Sequence, residues 1–302
     1  MIDCLCIGEA LIAFSPIDAP TLSAANEFDA SVGGAEVNVA IALAQAGLNV
    51  EWAGLVGADP FGERVVAHLS AHGVGTRHVR VIQDRQTGIY MKPRDGGRAR
   101  YYRRESAAAG FGPADVDRLA RTVAARVVHT SGIAAQASEP GRLSARHLLE
   151  DRPFFSALMS FDVNFRPAIA AEGADRELRH LAACSDVVFV GRDEAASLWG
   201  VRTAEQAREL LPEPDRLVVK DADREAIEFH REQVIRVPAT KVDVIEPTGA
   251  GDAFAAGWIT AHLAGHGQAD RLAAGHASAA RALRSPRDHA VEPVSPGRPV
   301  DA

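Results

Sequence analysis

Residues 247–257 read Pro-Thr-Gly-Ala-Gly-Asp-Ala-Phe-Ala-Ala-Gly, a turn of small residues followed by a helix-forming run that continues to Leu263. The start of a helix exposes unpaired backbone N–H groups and the positive end of the helix dipole. Glycines at 249 and 251 let a phosphate approach that backbone closely. The stretch therefore predicts an anion-binding turn at the beginning of a helix.

Asp252 places a carboxylate in this turn, where it would repel a simple anion. A phosphoryl-transfer site has a use for it, because the carboxylate can accept the proton of an attacking hydroxyl. The backbone N–H groups of Ala250, Gly251 and Asp252 would then face the developing charge on the phosphoryl group. An Asp that caps a helix is the alternative, and the flanking Gly249 and Gly251 favour catalysis. The sequence contains no Gly-x-x-x-x-Gly-Lys-Ser/Thr loop, so a P-loop mechanism is not indicated.

Residues 247–257 resemble the C-terminal signature of the ribokinase-like (PfkB) sugar kinases. Residues 33–47, which begin Gly-Gly-Ala-Glu-Val-Asn-Val-Ala, are similar to the N-terminal signature of the same family. The two stretches lie more than 200 residues apart, in the order that the family shows. This resemblance covers most of the chain and implies an ATP-dependent sugar kinase that uses Mg²⁺. It also implies ATP contacts from Thr248, Gly249 and Gly251.

Candidate sugar contacts come from the N-terminal stretch. Gly33 and Gly34 are adjacent at a predicted strand-to-helix turn, where a polyhydroxylated ligand can touch the backbone. Asn38 follows about one helical turn later and can both donate to and accept from sugar hydroxyls. A tight turn and an Asn on a helix surface would explain the same residues, and the resemblance favours substrate binding.

Residues 161–167, Phe-Asp-Val-Asn-Phe-Arg-Pro, follow a predicted strand and resemble a segment of the 2-keto-3-deoxygluconate kinases within this family. The resemblance implies that Arg166 contacts a sugar acid and that Asn164 lies near the phosphates or the metal. It further implies that Asp288, 36 residues beyond Asp252, contacts the substrate. A loop acid without that role is the alternative for Asp288.

A predicted hairpin adds Tyr90, Tyr101 and Arg103, which fit the substrate contacts of the same subfamily. Two arginines in one pocket, Arg103 and Arg166, suit a carboxylate because guanidinium groups bind it in bidentate fashion. A neutral sugar would not need them. The alternative is a solvated hairpin rich in arginine.

The nucleotide and metal contacts depart from the family pattern in several places. Lys220 ends a predicted strand where the family often contacts nucleotide, but residues 221–225 replace the glycine pair that many relatives have there. Glu194 matches the acid that helps to organise Mg²⁺ through water, yet Gly191 stands where the family usually has Asn. Asp193 is a candidate to compensate. These departures put metal affinity and turnover in question rather than the fold. A further departure is Glu246, where the family usually has Asp.

Composition excludes other classes of partner. The chain has 302 residues, 47% of them hydrophobic, and a formal net charge of -7, which argues against nucleic acid. Three cysteines, an odd number, indicate a reducing compartment, and the N-terminus lacks the basic start of a signal peptide. No apolar run has membrane-spanning length. We expect a cytoplasmic protein without a membrane partner.

Strands are predicted at residues 2–7, 50–56, 126–130, 158–163, 186–190, 216–220 and 226–230, with helices at 36–46, 61–71, 115–125, 140–150, 175–183 and 203–211 between most of them. Residues 87–94 and 98–104 form the hairpin around Asp95-Gly96-Gly97. This alternation predicts an α/β protein with a mainly parallel sheet and a site beyond the strand carboxyl ends.

The resemblance implies a three-layer α/β/α core with a small β lid built from residues near 10–32 and 87–104. The family often uses that lid for dimerisation, so we expect a homo-oligomer. We expect a single kinase domain over residues 1–302, with a loose tail from about 290 to 302. Two alternatives stay open. One is a fructokinase- or ribokinase-type kinase of a neutral sugar or a nucleoside. The other is a non-catalytic sugar-binding relative, which the departures at Gly191 and 221–225 motivate.

Overall fold

The computed structural model describes residues 1–94 and 98–285. The predicted hairpin turn at 95–97, the candidate Asp288 and the predicted tail from about 290 lie outside the described residues.

A large, mainly parallel sheet forms the centre of the described structure. Its nine strands within that part of the chain run in the order β13-β12-β11-β10-β9-β8-β1-β4-β5. The seven from β11 to β5 are parallel, and β12 and β13 are antiparallel additions at one edge. The bounds are β1 Ile2–Ile7, β4 Val50–Gly57, β5 Gly75–Ile82, β8 Ala125–Ser131, β9 Leu158–Asp162, β10 Val187–Gly191, β11 Arg216–Asp221, β12 Glu225–His230 and β13 Gln233–Pro238.

Helices cover both faces of this sheet, because successive side chains of each buried strand point to opposite faces. On β11, for example, Leu217 and Val219 pack into one apolar cluster and Val218 into the other. The helices of the first cluster are α3 Pro113–Thr122, α4 Gly132–Ala137, α5 Glu139–Leu149, α6 Ala174–Ala183, α7 Arg192–Trp199 and α8 Ala204–Leu210. Those of the second are α1 Ala35–Gln45, α2 Pro60–Ala71, α9 Ala250–Leu263 and α10 Gln268–Leu283. The predicted three-layer α/β/α architecture is confirmed.

A second sheet, called here the small sheet, comprises β2 Leu11–Pro16, β3 Phe28–Gly33, β6 Ile89–Met91 and β7 Arg100–Tyr102 in the order β3-β2-β6-β7. The hairpin expected from the alternation around residues 95–97 corresponds to β6 and β7, which pair antiparallel. The two faces of the small sheet differ. Ile12 and Phe14 pack into the second apolar cluster of the large sheet, whereas Leu11, Ala13 and Tyr90 form a separate cluster on the other face.

A buried ion pair joins β12 to the two C-terminal helices. Glu228 has no exposed surface, accepts a hydrogen bond from the Trp258 indole N–H at 2.8 Å, and pairs with the Arg271 guanidinium. That guanidinium also lies over the Trp258 ring, 5.0 Å from its centroid. Because α9 begins at the anion-binding turn, this cluster fixes the helix that carries Asp252 against the sheet.

Candidate active site

The predicted site residues gather at the carboxyl ends of the parallel strands. Ser131, Asp162 and Lys220 close or nearly close β8, β9 and β11. The chain leaves β1 toward β4 on one side and later returns to β8 on the other, so the connections diverge at β1 and β8. Clefts form at such reversals, because neighbouring crossovers leave the sheet in opposite directions.

Asp252 lies in the first turn of α9, which begins after Gly249. Gly249 has φ 81°, a left-handed conformation that glycine adopts without strain. No side chain of the described residues caps this helix start. The Ala250 N–H donates to the Pro247 carbonyl at 3.4 Å, whereas the N–H groups of Gly251 and Asp252 have no backbone acceptor among the described residues. Asp252 stands among them with only 7% of its surface exposed.

Two amide side chains from distant parts of the chain hold the Asp252 carboxylate. The side-chain amide of Asn38 on α1 donates to Oδ2 at 2.8 Å, and that of Asn164 after β9 donates to Oδ1 at 3.2 Å. Both amide oxygens are buried without a partner among the described residues. Each Asn therefore orients the carboxylate and keeps an acceptor free for a ligand hydroxyl.

Burial raises the pKa of Asp252 from 3.8 to about 7, because the charged form loses its hydration. The hydrogen bond from Asn38 lowers that pKa, the Asp162 carboxylate raises it, and the Arg166 and Lys220 cations lower it. A carboxyl group that titrates near neutrality is a stronger proton acceptor than an exposed aspartate and is still ionised in a large fraction of molecules.

Lys220 places an ammonium group against the anion-binding turn. Its Nζ lies 2.7 Å from Asp162 Oδ2, and a Cβ at Gly251 would lie only 3.2 Å from the same Nζ. Burial lowers the pKa of Lys220, but the Asp162 and Glu194 carboxylates outweigh it, so the pKa is raised. Lys220 is therefore a permanent cation beside Gly251, suited to a phosphate oxygen.

Gln136 on α4 fixes the loop that carries Asn164 and Arg166. Its amide nitrogen donates to the Asn164 carbonyl at 3.2 Å, and its amide oxygen accepts the Arg166 N–H at 3.0 Å. Asn164 needs this support because its φ of 42° is left-handed. Sequence reasoning missed Gln136, since a lone Gln on a short helix carries no motif.

Arg166 and Glu194 face each other at the edge of the site, with Nη1 and Oε1 3.6 Å apart. Glu194 also accepts the Gly191 N–H at 2.9 Å, and burial raises the pKa of its carboxyl. A Cβ at Gly191 would lie 2.6 Å from Asp193 Oδ1. The Asp193 carboxylate thus occupies the space that a side chain at position 191 would need, which explains why glycine stands there instead of the family's usual Asn.

Arg103 lies in a different group from Arg166. It forms a buried ion pair with Glu9, and burial raises the pKa of Glu9 to about 7 despite that arginine. The buried Glu36, which accepts from the Ser131 N–H at 2.8 Å and hydroxyl at 2.6 Å, adjoins this pair. Arg103 Nη1 is buried without a hydrogen-bond partner among the described residues.

The N-terminal glycines have a packing role. Gly33 ends β3, and Gly34, with φ 139°, precedes α1. A Cβ at Gly34 would lie 2.2 Å from the Glu9 carbonyl oxygen. These glycines bring β1, β3 and α1 together, and their contact with a sugar stays a prediction.

Tyr90 and Tyr101 pair across β6 and β7, and their rings stack at 5.6 Å. One residue beyond β6, the Lys92 ammonium reaches the anion-binding turn, 2.6 Å from Glu246 Oε1 and 2.6 Å from Thr248 Oγ1. The Tyr90 face of the small sheet therefore looks toward the site. The structure brings together Asn38, Asn164, Arg166, Glu194, Lys220, Thr248 and Asp252.

A buried carboxylate at an uncapped helix start, on a sheet of this order, is the arrangement expected of a phosphotransferase of the ribokinase-like class. The sequence matches the family described as pfkB family carbohydrate kinase over residues 1–293. The chain belongs to this family and is a carbohydrate kinase.

Comparisons with individual proteins support this family assignment. The 2-dehydro-3-deoxygluconokinase of Thermoproteus tenax is 33% identical over 279 residues, which cover 88% of this chain and 83% of that protein. The protein of the same name from Bacillus subtilis (strain 168) is 29% identical over 302 residues, with coverage of 95% and 91%. The crystal structure of a PfkB protein from Polaromonas sp. JS666 superposes with a TM-score of 0.84 at 30% identity and covers 95% of this chain and 97% of its own.

No helix among the described residues combines the length and apolar character needed to cross a membrane. In the same residues, no three His, Cys, Asp or Glu side chains form a group that could hold a metal ion.

The pH dependence follows from Asp252. The role predicted for Asp252 as proton acceptor requires its carboxylate form, so kcat/KM should rise about tenfold per pH unit below pH 7 and level off above it. Replacing Asn38 by Leu removes a donor that lowers this pKa, so the rising limb should move to higher pH. Initial rates between pH 5 and pH 9 measure the profile of the wild type and its shift in Asn38→Leu. A profile that is flat from pH 5 to pH 8 would contradict the assignment.

Proposed function

We propose that this kinase transfers the γ-phosphoryl group of ATP to a hydroxyl of a sugar acid, 2-keto-3-deoxygluconate, another name for 2-dehydro-3-deoxygluconate. The observation that carries the proposal is the buried Asp252 carboxylate, held by the amides of Asn38 and Asn164 at the start of α9. The names of the relatives from Thermoproteus tenax and Bacillus subtilis support the choice of sugar.

In the proposed reaction, Asp252 accepts the proton of the sugar hydroxyl as its oxygen bonds to the γ-phosphorus. The bond from that phosphorus to the bridging oxygen breaks, and ADP leaves with the bonding electrons. The N–H groups of Ala250 and Gly251 face the phosphoryl oxygens, whose negative charge they stabilise without reorganisation. Lys220 neutralises charge beside the same turn.

The described residues fit a Mg²⁺ ion that arrives with ATP. Mg²⁺ keeps several waters and binds proteins through one or two carboxylates together with substrate phosphates. Asp162 Oδ1 is buried without a partner in the described chain, and the half-buried Glu194 lies beside Lys220. We assign these two carboxylates to the metal waters. The ion supplies charge neutralisation of the phosphates.

The acid specificity rests on Arg166. Its side chain is 42% exposed and reaches the edge of the site, where it faces Glu194 at 3.6 Å and lowers the pKa of Asp252. An exposed guanidinium loosely held by one carboxylate can exchange that partner for a substrate carboxylate. Arg103 contributes through its unpartnered Nη1.

Arg166→Ala tests the substrate class. Losing a charge-assisted contact should raise KM for 2-keto-3-deoxygluconate about 10–100-fold. The KM for a neutral sugar that the enzyme accepts should change less than about threefold. Arg103→Ala is measured separately and beside its melting temperature, because it also leaves Glu9 buried without its partner.

Arg126→Ala is the matched control. Arg126 pairs with Asp3 at 3.1 Å near the amino ends of β1 and β8, opposite the site, and is exposed to 46%. Its removal should leave both KM values unchanged. Equal losses for acid and neutral sugars in Arg166→Ala, or a wild-type preference for a neutral sugar, would overturn the choice of an acid.

The small sheet is part of the proposal. We propose that it serves as the lid of a single kinase domain over residues 1–302 and as the contact between copies of the chain. Ile17 and Tyr102, exposed to 52% and 61%, offer apolar surface there. Light scattering that gives a mass near 32.0 kDa would contradict self-association.

We assign the protein to the cytoplasm because its three cysteines are free, and fractionation of its source cells would test this.

A further inference from the structure

Lysine is rare in this chain. Its 33 basic residues include only three lysines, Lys92, Lys220 and Lys241, and arginine fills the other positions. Two of the three lie at the anion-binding turn, Lys220 against Gly251 and Lys92 against Thr248. A compact ammonium fits between closely spaced oxygens where a planar guanidinium is too large. The proposed reaction uses Lys220 and gives Lys92 no part.

Lys92 closes a ring of contacts with the residues that precede the turn. Its ammonium donates to Glu246 Oε1 and to Thr248 Oγ1, each at 2.6 Å. The same Glu246 oxygen accepts the backbone N–H of Thr248 at 2.9 Å. Side chain and backbone of Thr248 are thus both held, directly before the left-handed Gly249 that starts α9.

The other end of Lys92 belongs to the small sheet. Its backbone N–H donates to the Phe14 carbonyl at 2.9 Å, which extends the pairing of β6 with β2 by one residue. Residues two apart in a strand point to the same face, so Lys92 and Tyr90 share a face. One short rigid segment therefore carries a predicted sugar contact and the contact to the turn.

We propose that Lys92 is a positioning residue that holds the anion-binding turn in its reactive conformation when the small sheet lies over the site. The inference rests on the proposed function. Through Thr248 and Glu246 the ammonium sets the direction of the N–H groups that follow Gly249. It also neutralises Glu246, whose carboxylate would otherwise repel a phosphoryl group arriving at the same turn.

The contact is only partly buried, so we expect it to add little to stability. The side chains of Lys92 and Glu246 are 27% and 21% exposed. Ion pairs that solvent reaches contribute about 0–1 kcal/mol to folding. The geometry of the turn is more sensitive, because a displacement of about 1 Å in a reacting group can cost roughly 100-fold in rate.

Lys92→Met tests the proposal against wild type, with the steady-state rates corrected for the folded fraction. We expect kcat to fall about 10–100-fold, the KM for the sugar to change less than about threefold, and the melting temperature to stay within about 2 °C. Arg126→Met is the matched control for loss of a half-exposed cation and should keep the wild-type kcat. A fall in kcat of less than about threefold in Lys92→Met would overturn the proposal.

Adding Glu246→Gln separates positioning from direct binding of phosphate by Lys92. Glutamine keeps an oxygen acceptor for the Thr248 N–H and removes the repelling charge. A double variant at least about threefold faster than Lys92→Met supports the proposal, and one no faster overturns it. If wild type phosphorylates a sugar other than 2-keto-3-deoxygluconate, the proposed function fails, and the same comparison proceeds with that sugar.

Discussion

Asp252→Asn should lower kcat by roughly 10²–10⁴, the range expected when a general base is lost. The side chain keeps its shape and its one amide oxygen can still accept from Asn38 or Asn164, but it accepts no proton. Sugar and nucleotide affinities should change little, because neither ligand loses a cationic contact. Steady-state rates measure the fall in kcat, and calorimetry measures the sugar and nucleotide affinities. A variant with near-normal turnover would show that another group is the base.

The same variant should be more stable than wild type at alkaline pH. The pKa of Asp252 is about 7 in the folded protein against an ordinary 3.8, so between these values the folded state binds more protons than the unfolded one. Wild-type stability therefore falls as pH rises through this window. Asparagine has no charge to bury, and we expect a gain of roughly 2 kcal/mol at pH 8, after discounting for a weaker hydrogen bond from Asn38.

Urea unfolding at pH 8 and at pH 5 measures this gain, which should shrink at the lower pH. Equal stabilities of variant and wild type at both pH values would contradict the raised pKa. A residue whose removal stabilises the fold while abolishing turnover is one that the fold tolerates only for its chemistry.

Glu228→Ala should destabilise the protein by about 3–5 kcal/mol, because it leaves the Arg271 charge buried and the Trp258 indole N–H without its acceptor. For a chain of this length that corresponds to a fall of about 5–8 °C in melting temperature. Because the cluster fixes α9, turnover should also become more sensitive to temperature. Calorimetry measures the first effect and rates between 15 and about 35 °C measure the second.

Glu225→Ala is the control on the same strand. Glu225 pairs with Arg236 at 2.8 Å in an exposed position, so its removal should cost less than about 1 kcal/mol. If the two alanine variants lost the same stability, the buried cluster would not anchor α9.

Much of the fold follows from sequence periodicity. The buried strands β1, β4, β8, β9, β10 and β11 are mostly apolar, and each was predicted to within a few residues. Within the large sheet, the strands not predicted are β5 and β13, which lie at its two edges. Edge strands are partly solvated, so polar residues such as Arg77, Arg80 and Arg236 interrupt their apolar pattern.

The pattern also fails to predict α4, α7 and α10. On α10 most apolar positions are alanines, which give little contrast between faces, and Gly275 stands in its interior. That glycine is required by packing, since a Cβ there would lie 2.7 Å from the Phe254 ring on α9. Such a constraint exists only between helices and leaves no local signal.

Within the site, motifs pointed to the residues to which we assign binding or catalysis, and the residues that support them were missed. Asp252 and Asn38 stand in recognisable signatures. Gln136 and Lys92 act through contacts across 28–30 and 156 residues of chain, which no local pattern encodes. The position of Arg103 depends on Glu9 in the same way. The contacts of Asp288 lie outside the described residues.

The hydrogen bond between Asn38 and Asp252 joins residues 214 positions apart, and Asn164 adds a link across 88. Closing such distances costs chain entropy that only a nearly complete tertiary structure repays. During synthesis, the amide partners emerge long before the acid that they orient. A nascent chain that ends before Asp252 lacks the proposed base, so activity should report on the assembled topology rather than on any one segment.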